Sequence, residues 1–185
     1  HTRLENDLNR GYLSEMVNDV SDGGTFLLVY FASSDGGGEK SQNFMKRIKA
    51  IAGDRNINLV KATEENFIAE VKQADVVHIH GGDTEQLKTK LASYKDFSEA
   101  IKGKTVSGSS AGAYVLTTYY FTNSQNKVLE GLGLIPARVA CHYQSISHAA
   151  SEKVDPVAAL EKYDNNLEMI LLKDCEWEVR EIELD

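Results

Sequence analysis

Short, wholly apolar runs alternate along this chain with segments whose apolar residues recur at helical spacing. That alternation restricts what it can fold into. Phe26 to Ala32 (FLLVYFA) is apolar without a break, as in a strand buried on both faces, not one with a wet side. Before it, Leu4, Leu8, Tyr12, Met16 and Val20 recur every four residues with Leu13 and Val17 beside them, the stripe of an amphipathic helix. Asp22-Gly23-Gly24 ends that helix. After Phe26–Ala32 comes a loop over Asp35–Gly38, then a helix over Gln42–Ala52 closed by Gly53. The spacing next predicts a strand at Ile57–Ala62, a helix at Glu64–Gln73 and a strand at Asp75–His80. Helices are expected near Thr84–Leu91 and Tyr94–Ile101. A short strand, Thr105–Ser109, then leads into an apolar helix beginning at Ala111. Strands alternating with helices of this length imply βαβ units, hence an α/β chain with a mainly parallel sheet.

The last third is less regular. Val128–Ile135 and Arg138–Cys141 read as strands, and Asp155–Tyr163 as a helix with Pro156 in its first turn. Met169–Leu172 and Trp177–Ile182 read as a terminal hairpin. No repeat or linker interrupts the 185 residues, so one domain over 1–185 is expected. The formal net charge of −8 argues against a nucleic-acid partner, because phosphate binding needs clustered Lys and Arg. No apolar run approaches the roughly 20 residues that span a membrane, and no basic-then-apolar signal segment opens the chain. Cys141 and Cys175 are the only cysteines. They read as free thiols in a reducing, cytoplasmic setting. Oligomeric state is left open, with a homodimer as one option.

Gly108-Ser109-Ser110-Ala111-Gly112 matches G-x-S-x-G at a junction where a strand ends and a helix begins. A nucleophile needs that sharp turn to lift its oxygen above the sheet edge. Ser110 is the candidate nucleophile, although a serine there could simply cap the helix. The Ala111 N–H, at a helix start, is placed to stabilise an oxyanion. His80-Gly81-Gly82-Asp83-Thr84 makes a second glycine turn after a strand. In a parallel sheet such turns share one edge, so Gly81 or Gly82 could supply a second oxyanion donor. His142, 32 residues after Ser110 at the end of a strand, is the candidate base, with His148 in reserve. Asp174, after the run Met169–Leu172, is the candidate acid, with Glu176 as the alternative. Cys141, on the opposite face from its neighbour, is no partner.

Other chemistries have weaker signals. His78 and His80 share one face of a strand and, with Asp83 nearby, could bind zinc. A His-x-His without a further histidine cluster is nevertheless a common structural pairing. A non-catalytic protein that cradles a small molecule on the glycine turns is a second rival. Gly36-Gly37-Gly38-Glu39-Lys40-Ser41 has the look of a phosphate loop, but Glu39 breaks the required Gly-Lys-Ser adjacency.

Taken together, GSSAGA at 108–113, HGGDTEQL at 80–87 and GLGLIPARVACHY at 131–143 resemble, in order and spacing, the peptidase E family of serine peptidases. That family includes aspartyl dipeptidase and cyanophycinase and shares its fold with class I glutamine amidotransferases. The resemblance spans most of the chain. It implies a three-layer, flavodoxin-like α/β domain with helices on both faces of the sheet. It also implies hydrolysis of peptide or amide bonds in small peptides through an acyl-enzyme. Carried over by motif, Ser110 is nucleophile, His142 base, Asp174 the best-matching acid, and Gly82 and Ala111 the oxyanion amides. No metal or organic cofactor is implied. The chain departs from the family in three ways. It begins at His1 without the strand expected before the first helix. It has no Arg between His142 and Arg180, although Lys153 and Lys162 lie there, which argues against aspartyl specificity. It carries His80 where a small or apolar residue is usual. A serine at the elbow, in place of cysteine, disfavours glutamine amidotransfer.

Overall fold

The computed structural model describes residues 7–145 and 154–183. Its first half alternates as α1 (Asp7–Asn18), β1 (Thr25–Val29), α2 (Gly38–Ala52), β2 (Asn58–Lys61), α3 (Phe67–Gln73) and β3 (Val76–Ile79). It continues through α4 (Thr84–Ala92), α5 (Phe97–Ala100) and β4 (Thr105–Gly108). These four strands form one parallel sheet in the order β2-β1-β3-β4. The apolar run of β1 is buried throughout, and the pleat divides it between two cores. Leu27 and Val29 pack with Val77, Ile79, Phe67, Val71, Leu87 and Leu91 on the face covered by α3 and α4. Phe26 and Leu28 pack with Val76, Met16, Val17, Phe44 and Ile48 under α1 and α2. Each such buried side chain contributes about 1.5–3 kcal/mol. The unbroken apolar run is therefore required by a sheet sandwiched between helical layers.

The second half contains α6 (Ala111–Leu116), β5 (Thr117–Thr122), β6 (Lys127–Glu130), β7 (Ile135–Cys141), α7 (Pro156–Leu160) and β8 (Glu168–Leu172). Its strands form a separate sheet, ordered β6-β5-β7-β8, in which only β5 and β6 are antiparallel. Tyr114, Tyr120, Val139 and Cys141 form its core on one face, and Phe121, Ala140, Ala159 and Leu160 on the other. Arg138 is buried within β7. Its guanidinium donates to the carbonyls of Leu160, Tyr163 and Leu167 and to Asn165 Oδ1, tying β7 to the segment that delivers β8. Helix α6 lies against β4, β5 and β7 and so joins the two sheets.

Several sequence expectations change. Strand β5 replaces the continuation of the apolar helix after Ala111. Helix α6 stops after six residues because Thr117-Thr118-Tyr119-Tyr120-Phe121 is β-branched and aromatic, a composition that packs best on a pleated surface. The strand expected over Val128–Ile135 is interrupted at 131–134. There the Gly131 and Leu132 N–H groups donate to Thr118 and Val115, turning the chain away from β6. No hairpin forms at the end: β8 pairs in parallel with β7, and Trp177–Ile182 is not a strand. Pro156 does open α7, whose N-cap Asp155 accepts from the Val157 and Ala158 N–H groups. Leu4, His148 and Lys153 lie outside the described residues. Among the described residues, no helix is long and apolar enough to cross a membrane.

Candidate active site

In both sheets the strands that run in parallel end on a common edge, and four of those ends converge. β3 and β4 deliver the two glycine-bearing turns, while β7 and β8 deliver His142 and Asp174. At the end of β4 the Ser109 N–H donates to the Ile79 carbonyl at 3.0 Å, and Ser110 takes φ 52 and ψ −112. This left-handed conformation is uncommon for a residue with a side chain and produces the abrupt strand-to-helix bend. The first turn of α6 then closes, with the Gly112 and Tyr114 N–H groups donating to Ser109 and Ser110 carbonyls at 3.0 Å. Gly112 passes so close to β3 that a Cβ there would run into the Ile79 carbonyl, so the elbow requires its glycine.

The second glycine turn abuts the first. A Cβ on Gly81 would lie 3.0 Å from Ser110 Cβ. The Gly81 N–H donates to Ser109 Oγ at 3.2 Å, whereas the Gly82 and Ala111 N–H groups have no acceptor among the described residues. Of the three backbone sites singled out in the sequence, Gly82 and Ala111 thus keep their donors open, and Gly81 spends its own on holding the two turns together.

His142 follows β7 directly. The ladder between β7 and β8 continues past the strand ends through the Tyr143 N–H to the Leu172 carbonyl at 2.9 Å, which keeps His142 beside the turn after β8. Asp174 sits in that turn. The turn is closed by the Glu176 N–H to the Lys173 carbonyl at 3.2 Å and the Lys173 N–H to Glu176 Oε2 at 2.8 Å. Glu176, the alternative acid, therefore holds the turn, and Asp174 faces the histidine. His142 Nδ1 is 2.7 Å from Asp174 Oδ1, and His142 Nε2 is 3.1 Å from Ser110 Oγ. The His142 and Asp174 side chains are 14% and 24% exposed, sheltered yet reachable from solvent. With the ionised carboxylate accepting at Nδ1, the proton resides there and the Nε2 lone pair faces the serine hydroxyl. One further side chain joins, unanticipated from the sequence: the buried Ser145 hydroxyl donates to Asp174 Oδ2 at 2.6 Å. Its only sequence signal is a hydroxyl three residues beyond the histidine.

The neighbouring groups that could have supplied other chemistry are engaged elsewhere. Cys141 is buried, and burial pushes its thiol up to about 12, far from reactive. His78 and His80 lie in an aromatic cluster. His78 stacks on Phe44 and His80 on Tyr30, and the two imidazoles meet edge to face. Asp83 caps α4 by accepting the Gln86 N–H at 2.9 Å. Among the described residues no three His, Cys, Asp or Glu side chains are arranged to hold a metal.

The family model for peptidase family S51 matches residues 10–180. The chain belongs to peptidase family S51. It is accordingly a serine-type peptidase. The S51 chain shares its fold with a peptidase from an acI-B1 Actinobacterium, with a TM-score of 0.56 and 21% identity over 81% of this chain and 68% of that one. A protein provisionally named peptidase E from Listeria monocytogenes EGD-e matches with a TM-score of 0.54 and 16% identity, covering 88% of this chain and 85% of that one. At these identities the likeness is one of fold. No curated protein matches the chain.

Proposed function

We propose that this S51 peptidase cleaves small peptides through an acyl-enzyme, with Ser110 as nucleophile, His142 as general base and Asp174 as orienting acid. The observation that carries the reading is the unbroken chain Ser110 Oγ–His142 Nε2, 3.1 Å, and His142 Nδ1–Asp174 Oδ1, 2.7 Å. In that arrangement Nε2 takes the hydroxyl proton as Oγ bonds to the scissile carbonyl carbon, and the carbonyl π electrons move onto oxygen. Asp174 balances the imidazolium that forms. The open N–H groups of Gly82 and Ala111 face the negative oxygen, each donor of this kind being worth about 3 kcal/mol in the transition state. As the C–N bond breaks, Nε2–H passes its proton to the departing amine. A water then repeats the sequence on the ester and frees Ser110. The absence of an Arg between His142 and Arg180 supports a substrate other than one held by its aspartyl side chain. Position 148 and Lys153 take no part in this reading.

The test pairs a fluorophosphonate probe with a dipeptide library. Wild-type protein should be labelled at Ser110 and should hydrolyse a subset of the library. Ser110→Ala should fold normally, resist labelling and lose hydrolysis by about 10⁶-fold. Hydrolysis that persists in Ser110→Ala would reject the assignment.

A further inference from the structure

We propose that Ser145 is a positioning residue of this site, its hydroxyl locking the plane of the Asp174 carboxylate and, through it, the aim of His142 at Ser110. The inference rests on the Ser110–His142–Asp174 reading. Asp174 divides its two oxygens: Oδ1 lies 2.7 Å from His142 Nδ1, and Oδ2 accepts from Ser145 Oγ at 2.6 Å. The terminal torsion of an aspartate is soft. A carboxylate can pivot about that bond, and each hydrogen bond to a fixed donor narrows the range it can explore. The charge-assisted hydrogen bond from the buried Ser145 hydroxyl, on the oxygen not facing His142, narrows it directly.

The donor is itself fixed by the segment that carries the base. The Ser145 N–H donates to the His142 carbonyl at 3.0 Å. His142 and Gln144 take φ 60 and 55, which winds residues 142–145 into a tight turn. The turn brings the hydroxyl of its fourth residue back beneath the acid that its first residue engages. Base and locking hydroxyl therefore move as one unit, and the acid is gripped from both ends of a single turn. Ser145 touches neither substrate nor reacting atoms, so its effect is on the geometry of proton transfer and not on binding.

The experiment compares Ser145→Thr, which keeps the hydroxyl, with Ser145→Val, which has the same shape without it. The readouts are kinact and KI for fluorophosphonate labelling, and folding is checked by urea unfolding. Ser145→Val should lower kinact by about tenfold with KI within about twofold, as expected for a misaimed base. Ser145→Thr should stay within about twofold of wild type in both. If Val fails to fold, Ser145→Ala takes its place against Thr. Equal kinact in the hydroxyl-bearing and hydroxyl-free variants, or a loss that appears in KI instead, would overturn the positioning role while leaving the triad intact. Wild-type protein that is not labelled, or Ser110→Ala that still is, would overturn the triad reading and this one with it.

Discussion

Ser110 is held at φ 52 and ψ −112, a conformation that costs a residue with a side chain about 1–3 kcal/mol and persists because its neighbours leave it no other. Gly81 is chief among them. A Cβ at that position would lie 2.8 Å from the Ser109 carbonyl oxygen and 3.0 Å from Ser110 Cβ. The obstructing carbonyl is backbone and cannot step aside as a flexible side chain would. Gly81→Ala is therefore expected to push the elbow away from His142 and to lower the rate of labelling at Ser110 by about 100-fold, the usual consequence of displacing a reacting group by an ångström. The urea midpoint should fall as well, because the strain against backbone is borne by the native state alone. Labelling at the wild-type rate would show that the two turns tolerate a gap between them. At this scale the two turns of the candidate site were legible in the sequence because each leaves a small-residue signature: GSSAG at one strand end and HGG at another. Asp174 was harder to single out because 28 acidic residues compete for the role. Ser145's one signal, a hydroxyl three residues beyond the histidine, singled out nothing, since a serine in a polar loop looks the same whether or not it grips a carboxylate.

Among the elements, those of the first sheet were legible because each obeys its period: β1 as an unbroken apolar run, α2 and α4 as stripes. The second sheet was less so. There α6 hands over to β5 without a loop, and an apolar stretch of that length fits a buried helix as well as a buried strand. What makes β8 a parallel neighbour of β7, and not half of a hairpin, is a connection the local pattern does not record. Arg138 gathers three carbonyls and Asn165 Oδ1 around one buried guanidinium and so fixes where the chain re-enters the sheet. Arg138→Met keeps much of the stem but leaves those acceptors bare. It should cost about 3 kcal/mol or more, seen as a lower urea midpoint with an unchanged slope. Because Asp174 sits in the turn that follows β8, labelling at Ser110 should fall too. A midpoint within error of wild type would mean that the β7–β8 pairing needs no such anchor.

The whole molecule is two sheets joined through α6, with the site at the seam, so whatever loosens one sheet also separates Ser110 from His142. Acid is one such agent. His78 sits inside the first sheet's core on β3, and His80, only partly buried, follows the end of that strand immediately before Gly81. The Nε2 atom of each, like the Tyr30 hydroxyl between β1 and α2, is buried with no hydrogen-bond partner among the described residues. Burial drives the His78 imidazole down to about 3 and lowers that of His80 as well, His78 adding to the effect on His80. An unfolded histidine takes up its proton near pH 6.5. Below that pH the unfolded chain holds more protons than the native one, so stability rises with pH across the window and is lost as pH falls toward the native value. Each histidine removes about 1.4 kcal/mol for every pH unit below its unfolded value. Both histidines therefore subtract from stability as pH falls below about 6.5, and a domain's margin is small enough to feel it. His80→Phe keeps a ring for the stack on Tyr30 while abolishing one titration. It should therefore lessen the fall in urea midpoint between about pH 7 and about pH 5. Wild-type protein with a flat midpoint over that range would show that these imidazoles are charged, or reached by water, within the folded core.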